Sequence, residues 1–192
     1  MSTGESISMH YDSKNIAIAG CGGLGSNCGI CLTRMGHSSF TIIDFVEEKN
    51  LDRQYYFLNQ VGDLKVNALS KNMLSVNSNI SIKEVNRKIT IDNIDEILSE
   101  CEVIIECFDA AANKLLLAEY ALSKGKYLVS ASGICGLFIE NEVKLHKYNE
   151  RFVIIGDMCT DINLGNIPKA SKVSIVAALQ AEIALQMISM IN

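Results

Sequence analysis

A glycine-rich turn constrains the fold of this chain more than any other feature. Residues 20–25 read Gly-Cys-Gly-Gly-Leu-Gly, the G-x-G-x-x-G pattern, between an apolar strand-like run and a helical pattern that ends at Gly36. In such a turn Gly20 permits a tight bend, Gly22 lets a phosphate approach the backbone, and Gly25 lets the helix pack closely on the strand. The free N–H groups of the helix N-terminus also attract an anion. The turn therefore predicts a phosphate-binding site.

The end of the second predicted strand, residues 39–44, supports this prediction. Asp44 lies nineteen residues after Gly25, where an acid can accept hydrogen bonds from the hydroxyl groups of a ribose. A turn kept only for packing would not require that acid. The strand, turn, helix, strand and acid together indicate nucleotide binding, and they fit both a dinucleotide and ATP.

Strand-like runs alternate with helical patterns along most of the chain. Helices and strands are predicted in turn at residues 63–76, 80–85, 91–98, 103–107, 113–124 and 127–131. Two strands without a helix between them, 137–148 and 151–155, then precede a long apolar helix at 173–191. This order predicts an α/β, Rossmann-like fold, with a mostly parallel sheet, an added antiparallel edge and helices on both faces. We expect one domain, 15–192, after a polar N-terminal segment, 1–14.

Polar and charged side chains cluster after the second predicted strand. Residues 50–54 read Asn-Leu-Asp-Arg-Gln, and Lys65 lies in the next predicted helix. Arg53 can bridge phosphate oxygens with its planar fork, and Lys65 can offset the charge that builds up as pyrophosphate leaves ATP. Asp109, after the fourth predicted strand, is placed to hold Mg²⁺. We expect Arg53, Lys65 and Asp109 at the rim of one crevice. A dinucleotide does not require these cations, so the cluster favours ATP.

Together these motifs resemble the ThiF/MoeB family, the bacterial relatives of ubiquitin-activating enzymes, and most of all the short ThiF-type proteins of thiamine biosynthesis. The matching segments are Gly20–Gly25, Asp44, Asn50–Gln54, Gly62–Lys65, Asp109, Lys114 and Ser130–Gly133. The resemblance implies that ATP and its Mg²⁺ contact Gly20, Gly22, Gly23, Gly25, Asp44, Asn50, Arg53, Gln54, Lys65 and Asp109. It implies catalytic roles for Arg53, Lys65 and Asp109, with Asp109 as the Mg²⁺ ligand.

The activity that the resemblance implies is adenylation of the C-terminal Gly-Gly carboxylate of a ThiS-like sulfur-carrier protein, in thiamine thiazole biosynthesis. Such a carboxylate has a pKa of about 3.3–3.7 and is ionised at neutral pH, so the reaction needs no general base. Arg, Lys, Asp and backbone N–H groups suffice for the chemistry. The resemblance also implies a homodimer. The apolar stripe of the last predicted helix could pack in the core or at that interface, and its members are Ile175, Leu179, Ile183 and Met187.

The cysteines bear on metal and thiol chemistry. The C-x-x-C pair Cys28–Cys31 lies inside the first predicted helix without a second pair, and a tetrahedral zinc site needs four ligands. We therefore expect no zinc, and both thiols facing the sheet. Longer family members carry a loop cysteine that can bond to the carrier, and Cys159 is the candidate for such a thiol here. Their N-terminal arginine has no counterpart, because Arg34 is the first arginine of this chain.

Composition limits the possible partners. The 192 residues include 17 Lys and Arg against 22 Asp and Glu, a net charge of −5, which argues against broad electrostatic binding to nucleic acid. We expect no membrane-spanning run, and residues 1–14 lack the apolar core of a signal peptide. The expectation is a cytoplasmic protein with reduced cysteines.

Two alternatives remain. An NAD-dependent oxidoreductase would explain the glycine turn and Asp44, and Tyr120 with Lys124 mimics the Y-x-x-x-K pair of short-chain dehydrogenases. It would leave Arg53 and Lys65 without a role, and little chain remains for a substrate domain. The second alternative is a ThiF-like protein that binds a carrier or a nucleotide without chemistry.

Overall fold

The predicted alternation appears as strands and helices in the computed structural model, which describes residues 14–46, 50–137, 142–161 and 165–191. The strands are β1 (Asn15–Ala19), β2 (Ser39–Ile43), β3 (Ser81–Val85), β4 (Cys101–Glu106), β5 (Tyr127–Ala131), β6 (Lys144–Asn149) and β7 (Phe152–Gly156). The helices are α1 (Gly23–Arg34), α2 (Lys65–Val76), α3 (Ile94–Leu98), α4 (Ala111–Ser123) and α5 (Ala170–Ser189), with a short 3-10 helix at Leu58–Gln60.

The seven strands of the described ranges form one sheet in the order β3-β2-β1-β4-β5-β7-β6. Neighbouring strands are parallel except β6 and β7, which pair antiparallel at one edge. This confirms the predicted Rossmann-like fold. The strand order reverses between β1 and β4, and in such sheets a crevice opens beyond the carboxyl ends of the strands at the reversal.

The core lies on both faces of the sheet. In β1, Ile16 and Ile18 pack with residues of α1, α2 and α5, whereas Ala17 and Ala19 pack with residues of α3 and α4. All four side chains are fully buried. Successive strand side chains point to opposite faces, so a strand covered on both sides needs a continuous apolar run. The Ile-Ala-Ile-Ala sequence of β1 supplies that run, and helices on both faces are confirmed.

Some element ends differ from the predictions. α2 begins at Lys65 instead of residue 63, and α5 begins at Ala170 instead of residue 173. The first turn of α5 is polar, so apolar periodicity could not reveal its start. The strand predicted at 137–148 covers only Lys144–Asn149. Residues 138–141 of that prediction lie outside the described ranges.

α5 corrects the expectation that no run is long and apolar enough to span a membrane. It has 20 residues and contains an 18-residue window with a mean hydropathy of 1.3, which meets that requirement by length and composition. However, 56% of that window is buried inside the fold, and the helix packs on α1, β4 and β5. Its apolar character therefore fits a core helix. The predicted stripe lies at the border of the buried face, since Met187 is buried while Ile175 is 39% exposed.

Candidate functional site

A cleft of about 280 Å³, which we call the first cavity, opens at the carboxyl ends of β1 and β4. Most of the predicted site residues line it, namely Gly20, Gly22, Gly23, Asp44, Asn50, Arg53, Gln54, Lys65 and Asp109. Of the predicted set, only Gly25 lies outside this lining. The fold therefore brings together side chains from four distant segments of the chain at the point where the strand order reverses.

Gly20 and Gly25 give the turn its shape. A Cβ at Gly25 would lie 1.8 Å from the carbonyl oxygen of Gly20, and Gly20 itself has a φ of +101°. Both positions therefore require glycine. At Gly22 an added Cβ would meet nothing closer than Gln54 Nε2, at 4.0 Å. Gly22 therefore leaves open space beside the cavity, as expected of a glycine that admits a ligand.

The Asp44 carboxylate binds the backbone of two loops. Its Oδ2 accepts a hydrogen bond from the N–H of Cys21 (2.7 Å), and its Oδ1 accepts from the N–H groups of Phe45 (2.7 Å) and Val46 (2.9 Å). A carboxylate can accept about four hydrogen bonds, so capacity remains for a ribose hydroxyl. Asp44 thus holds the glycine turn while lining the cavity.

Residues 50–60, which we call the strap, connect β2 to α2 across the cavity. Helices on both sides hold the strap through Tyr55. Ser26 Oγ of α1 accepts a hydrogen bond from the N–H of Tyr55 (2.9 Å), and Asn72 Nδ2 of α2 donates to its carbonyl oxygen (3.0 Å). Because both peptide groups of Tyr55 are fixed, the strap is a defined part of the cavity wall.

Arg53 lies on the strap with its side chain 22% exposed. Its carbonyl oxygen accepts a hydrogen bond from Asn27 Nδ2 of α1 (3.0 Å). Its guanidinium Nη1 donates to both carboxylate oxygens of the exposed Asp52, at 3.0 and 3.2 Å. Exposed ion pairs contribute little stability, about 0–1 kcal/mol, so a phosphate can replace Asp52 as the partner of Arg53.

Lys65, the first residue of α2, departs from the prediction. It is only 9% exposed, so its expected place at the rim is wrong, and it lies in the wall of the first cavity. Arg53 is half-buried and Asp109 is exposed, as expected for rim residues. The Lys65 ammonium makes no ion pair or hydrogen bond with any described residue. An unpaired buried charge is costly, and an anion in the cavity would offset that cost.

Gln54 presents a second unsatisfied group. Its side chain is 8% exposed, and its Oε1 has no hydrogen-bond partner among the described residues. Leaving a buried acceptor unpaired costs about 1–3 kcal/mol. A hydroxyl or amino group of a ligand would satisfy it. The cavity therefore offers a cation and an acceptor that have no partner among the described residues.

A second cavity, of about 480 Å³, adjoins the first. The residues that line both are Phe108, Asp109, Ala110, Ile134 and Pro168. The remaining lining includes several small residues of the segment 131–135, together with Thr160 and Asp161. The Asp109 carboxylate lies at the boundary of the two cavities and makes no hydrogen bond or ion pair with a described residue.

Asp109 fits a Mg²⁺ site that is shared with substrate phosphates, but not a site made of several protein ligands from the described residues. The described residues contain no group of three or more His, Cys, Asp or Glu side chains that could hold a metal. Mg²⁺ is usually bound through one or two carboxylates together with water and substrate phosphates. A single unpaired carboxylate beside a phosphate-binding turn fits that description. The absence of zinc stays a prediction.

A buried charged network at the end of β4 was not predicted. Glu106 is fully buried, and its carboxylate accepts hydrogen bonds from Lys114 Nζ (2.9 and 3.1 Å) and Ser130 Oγ (2.5 Å). Lys114 also donates to the carbonyl oxygen of Ala131 (2.9 Å). The network ties β4, β5 and α4 together beside the two cavities. Its only sequence signal was a glutamate inside an otherwise apolar strand.

A second buried ion pair fixes the segment that closes the second cavity. Lys172 is fully buried, and its ammonium contacts the Asp157 carboxylate and the carbonyl oxygen of Cys135 (2.8 Å). Asp157 also accepts from the N–H and the hydroxyl of Thr160, each at 2.8 Å. Burial raises the pKa of Asp157, but the hydrogen bonds from Lys172, Thr160 and Cys159 outweigh it and hold the pKa well below its ordinary value.

Comparison with known proteins identifies the family. The profile of the ThiF family matches residues 4–192. This chain belongs to the ThiF family. The adenylyltransferase and sulfurtransferase UBA4 of Eremothecium gossypii is 30% identical over 142 residues, which cover 72% of this chain and 31% of UBA4. MOCS3 of Dictyostelium discoideum is 28% identical over 149 residues, 76% of this chain and 34% of MOCS3. The ThiF chain spans about a third of the length of these relatives.

Solved structures share the ThiF fold. The Escherichia coli tRNA N6-threonylcarbamoyladenosine dehydratase TcdA, in complex with AMP, superposes with a TM-score of 0.84 at 18% identity, covering 94% of this chain and 87% of TcdA. E. coli MccB with ATP gives a TM-score of 0.72 at 21% identity, covering 93% of this chain and 56% of MccB. At these identities the likeness shows a common fold.

Three cysteines of the ThiF domain differ in their surroundings. Cys28 is fully buried in the core, whereas Cys31 is half-buried with its Sγ 3.7 Å from Met35 Sδ. Both pack with the same core cluster, Cys28 inside it and Cys31 at its margin. Cys159 is exposed, and desolvation and its hydrogen bond to Asp157 raise the pKa of its thiol. Because the thiolate is the nucleophile, this environment does not favour a reactive Cys159.

The Tyr120–Lys124 pair has a structural explanation in the ThiF fold. The Tyr120 hydroxyl donates to Asp95 Oδ1 (3.1 Å), and Lys124 Nζ lies 2.9 Å from the same oxygen. The pair thus joins α4 to α3. None of the three residues lines either cavity. The pair is not arranged around a nucleotide site.

Proposed function

We propose that this ThiF-family chain binds ATP in the first cavity and transfers AMP to the C-terminal carboxylate of a partner. The observation that carries the proposal is the buried Lys65 ammonium, which lines the same cavity as the glycine turn and Arg53 and has no anion among the described residues. A helix N-terminus alone can hold the pyrophosphate of a dinucleotide. Two further cations favour a ligand with more charge.

The lining suggests how ATP would lie. Its triphosphate would rest over the turn Gly22–Gly25, and its ribose hydroxyls would donate to Asp44. Arg53 would exchange Asp52 for phosphate oxygens, which its planar fork can bridge. The Oε1 of Gln54, which has no partner among the described residues, would accept a hydrogen bond from a hydroxyl or amino group of the nucleotide. Each contact uses a group that the described part of the chain leaves wholly or partly unsatisfied.

Asp109 would hold Mg²⁺ at the boundary of the two cavities. When bound, the ion offsets the negative charge of the phosphates and orients them. The contribution of the chain is the position of the Asp109 carboxylate, which the β4–α4 turn places where the nucleotide and an acceptor would meet.

The second cavity provides the place for the acceptor. The loop after β7 lines it through Thr160 and Asp161, whereas β6 and β7 themselves do not. Ala110, Ala131 and Ser132 contribute only small side chains to the wall of this slot. A Gly-Gly tail suits such a slot because it has no side chains to accommodate. We therefore propose a ThiS-like sulfur carrier as the partner, with a role in thiamine thiazole formation.

The reaction would join the tail to the α-phosphate. A carboxylate oxygen attacks the α-phosphorus, and the bond from this phosphorus to the bridging oxygen of the pyrophosphate breaks. The carboxylate is already ionised, so no base is required. Arg53 and Lys65 would stabilise the charge that grows on the departing pyrophosphate. The products are an acyl-adenylate and pyrophosphate.

The relatives support ATP as the nucleotide. UBA4 is named an adenylyltransferase. TcdA has been solved with ATP, and MccB with AMPCPP and MccA. UBA4 and MOCS3 are also named sulfurtransferases, but this chain spans only about a third of either protein. The proposal therefore covers adenylation alone.

We also propose a cytoplasmic homodimer that acts on a protein and not on nucleic acid. The strap and the residue after it expose apolar surface that a second copy could cover, since Phe57, Leu58 and Val61 are 55%, 83% and 63% exposed. The net charge of −5 favours a protein substrate. Sedimentation that shows a monomer at micromolar concentration would reject the dimer.

The proposed function is tested by incubating the chain with Mg²⁺, ATP and candidate Gly-Gly carriers from the same cell, followed by mass spectrometry. We expect one carrier to gain the mass of AMP. The matched control is the same carrier without its last glycine, which should gain nothing. If no carrier is adenylated while NADH binds tightly, the oxidoreductase alternative replaces this proposal.

A further inference from the structure

Tyr56 lies in the strap but belongs to none of the predicted motifs. Its side chain is buried, with 6% exposure. Its hydroxyl donates a hydrogen bond to the carbonyl oxygen of Cys21 (2.7 Å) and lies 3.3 Å from the carbonyl oxygen of Lys65. Burial raises the pKa of Tyr56 further above its ordinary value, so the hydroxyl keeps its proton and acts as a donor. One side chain therefore touches both the glycine turn and the start of α2.

The contact with Cys21 has a consequence for the next residue. A trans peptide is planar, and its C=O and N–H point in opposite directions. Because the carbonyl of Cys21 points to Tyr56, the N–H of Gly22 points away from it. This N–H has no acceptor among the described residues, and Gly22 lines the first cavity. The N–H of Cys21 is held by Asp44, so the turn is fixed on both sides of this peptide.

The contact with Lys65 concerns the other half of the phosphate site. Lys65 is the first residue of α2, and its ammonium, which has no partner among the described residues, belongs to a residue that lines the first cavity. The Tyr56 hydroxyl is thus within reach of the backbones that carry the two phosphate-binding groups, an N–H and an ammonium. Removing the hydroxyl would remove a group that contacts both the carbonyl oxygen of Cys21 and the carbonyl oxygen of Lys65.

We propose that Tyr56 is a positioning residue for the triphosphate: its hydroxyl orients the peptide between Cys21 and Gly22 and holds the glycine turn against the residue that carries the Lys65 ammonium. This inference rests on the proposed binding of ATP. Tyr56 itself touches no phosphate. It acts through the Gly22 N–H and through Lys65, so its loss should affect binding of the phosphates and not of the nucleoside.

The test compares Tyr56→Phe with Tyr120→Phe. Both changes remove one hydroxyl from a buried tyrosine and keep the ring, but the Tyr120 hydroxyl binds Asp95 away from both cavities. Dissociation constants are measured for Mg²⁺-ATP by calorimetry and for adenosine by NMR titration, below the melting temperature of each variant. We expect Tyr56→Phe to weaken ATP about tenfold and to leave adenosine unchanged, while Tyr120→Phe changes neither.

Other results would overturn the inference. One is an affinity for ATP in Tyr56→Phe that equals that of the wild-type chain. The other is an equal loss of affinity for ATP and for adenosine, which would indicate a general deformation of the site. If the wild-type chain does not bind ATP, the proposed function itself fails. If the wild-type chain binds ATP and Tyr56→Phe binds it equally well, only the inference about Tyr56 fails. A second measurement does not depend on a variant: ATP should shift the amide resonance of Gly22 in the wild-type chain. An unmoved Gly22 amide in a chain that binds ATP would also contradict the proposal.

Discussion

Among the described residues, two lysines are buried, and the fold surrounds them differently. Lys172, in the first turn of α5, contacts the carboxylate of Asp157 and the carbonyl of Cys135. Lys65, at the start of α2, has no anion among the described residues. Neither helix start favours a cation, because the positive end of the helix dipole lies there. Lys172 is therefore retained for an internal ion pair, whereas Lys65 indicates an anion from outside.

The comparison extends to the regions around the two lysines. On the Lys172 side, the buried carboxylates of Glu106 and Asp157 have lysine partners, namely the half-buried Lys114 and the buried Lys172. On the Lys65 side, and counting described residues alone, Gln54 Oε1 has no partner and the Arg53 guanidinium contacts one exposed carboxylate, that of Asp52. A region whose charges are satisfied internally serves stability. A region with unsatisfied groups at a cavity is a candidate binding site.

The largest effect should follow from removing Lys172. In Lys172→Met, Asp157 becomes a buried charge without its partner, and the free energy of unfolding should fall by about 3–5 kcal/mol. Lys65→Met removes a buried charge that has no partner in the described part of the chain, so its free energy of unfolding should stay unchanged or rise. Urea denaturation followed by circular dichroism measures both. Equal losses in the two variants would refute the distinction between the lysines.

The reverse pattern is expected for turnover. Lys65→Ala, Arg53→Ala and Asp109→Ala should each lower the rate of adenylate formation by about a hundredfold or more, because each removes charge stabilisation from the reaction. Their melting temperatures should change far less. Lys124→Ala, a surface ion-pair lysine outside both cavities, is the control. Wild-type turnover in all three variants would show that the site is assigned wrongly.

Acid should destabilise the fold through a buried histidine beside β2. His37, between α1 and β2, is fully buried, and burial lowers its pKa from 6.5 to about 4. Between these values the unfolded chain binds a proton at His37 that the folded chain does not. The contribution of His37 therefore lowers the free energy of unfolding as the pH falls from 6.5, and this contribution levels off below pH 4. The shift corresponds to about 3 kcal/mol. Asp157, with its lowered pKa, loses its contribution only below about pH 4.

The pH dependence is measured as the free energy of unfolding between pH 7 and pH 4 for the wild-type chain and for His37→Gln. The variant lacks the buried imidazole, so its curve should be flatter in this window. Parallel curves would show that other groups cause the acid sensitivity.

The smallest of these effects is stabilisation by nucleotide. ATP with Mg²⁺ at ten times its Kd should stabilise the chain by about 1.4 kcal/mol and raise its melting temperature. Lys65→Met should lose this stabilisation, whereas NADH should give none. Stabilisation by NADH alone would favour the oxidoreductase alternative.

The sequence predicted those features of the fold that rest on local patterns. The apolar runs of β1, β2 and β4 and the glycine turn have strong local signals, and the strands and the crevice follow from them. The start of β6 was predicted wrongly, because β6 is an edge strand whose mostly exposed residues give a weak apolar pattern. The start of α5 was missed since Lys172 is polar, and only its partner Asp157, fifteen residues away, explains its burial.

The site could be predicted in part for the same reason. Gly20, Asp44 and Arg53 belong to motifs with a known spacing, so their common location was predictable. Glu106 and Tyr56 were missed because their roles depend on contacts between distant segments, such as the hydrogen bond from Tyr56 to Cys21. The burial of Lys65 was missed because a sequence does not show how the strap covers α2.

Isotope exchange between pyrophosphate and ATP tests the central claim most directly. Attack by a carboxylate on the α-phosphorus is reversible, so labelled pyrophosphate should enter ATP when the chain, Mg²⁺ and a Gly-Gly carrier are all present. Exchange should vanish if any of the three is omitted, or if the last glycine of the carrier is removed. Exchange without a carrier, or its absence with every Gly-Gly carrier of the same cell, would contradict adenylation of a carrier by this chain.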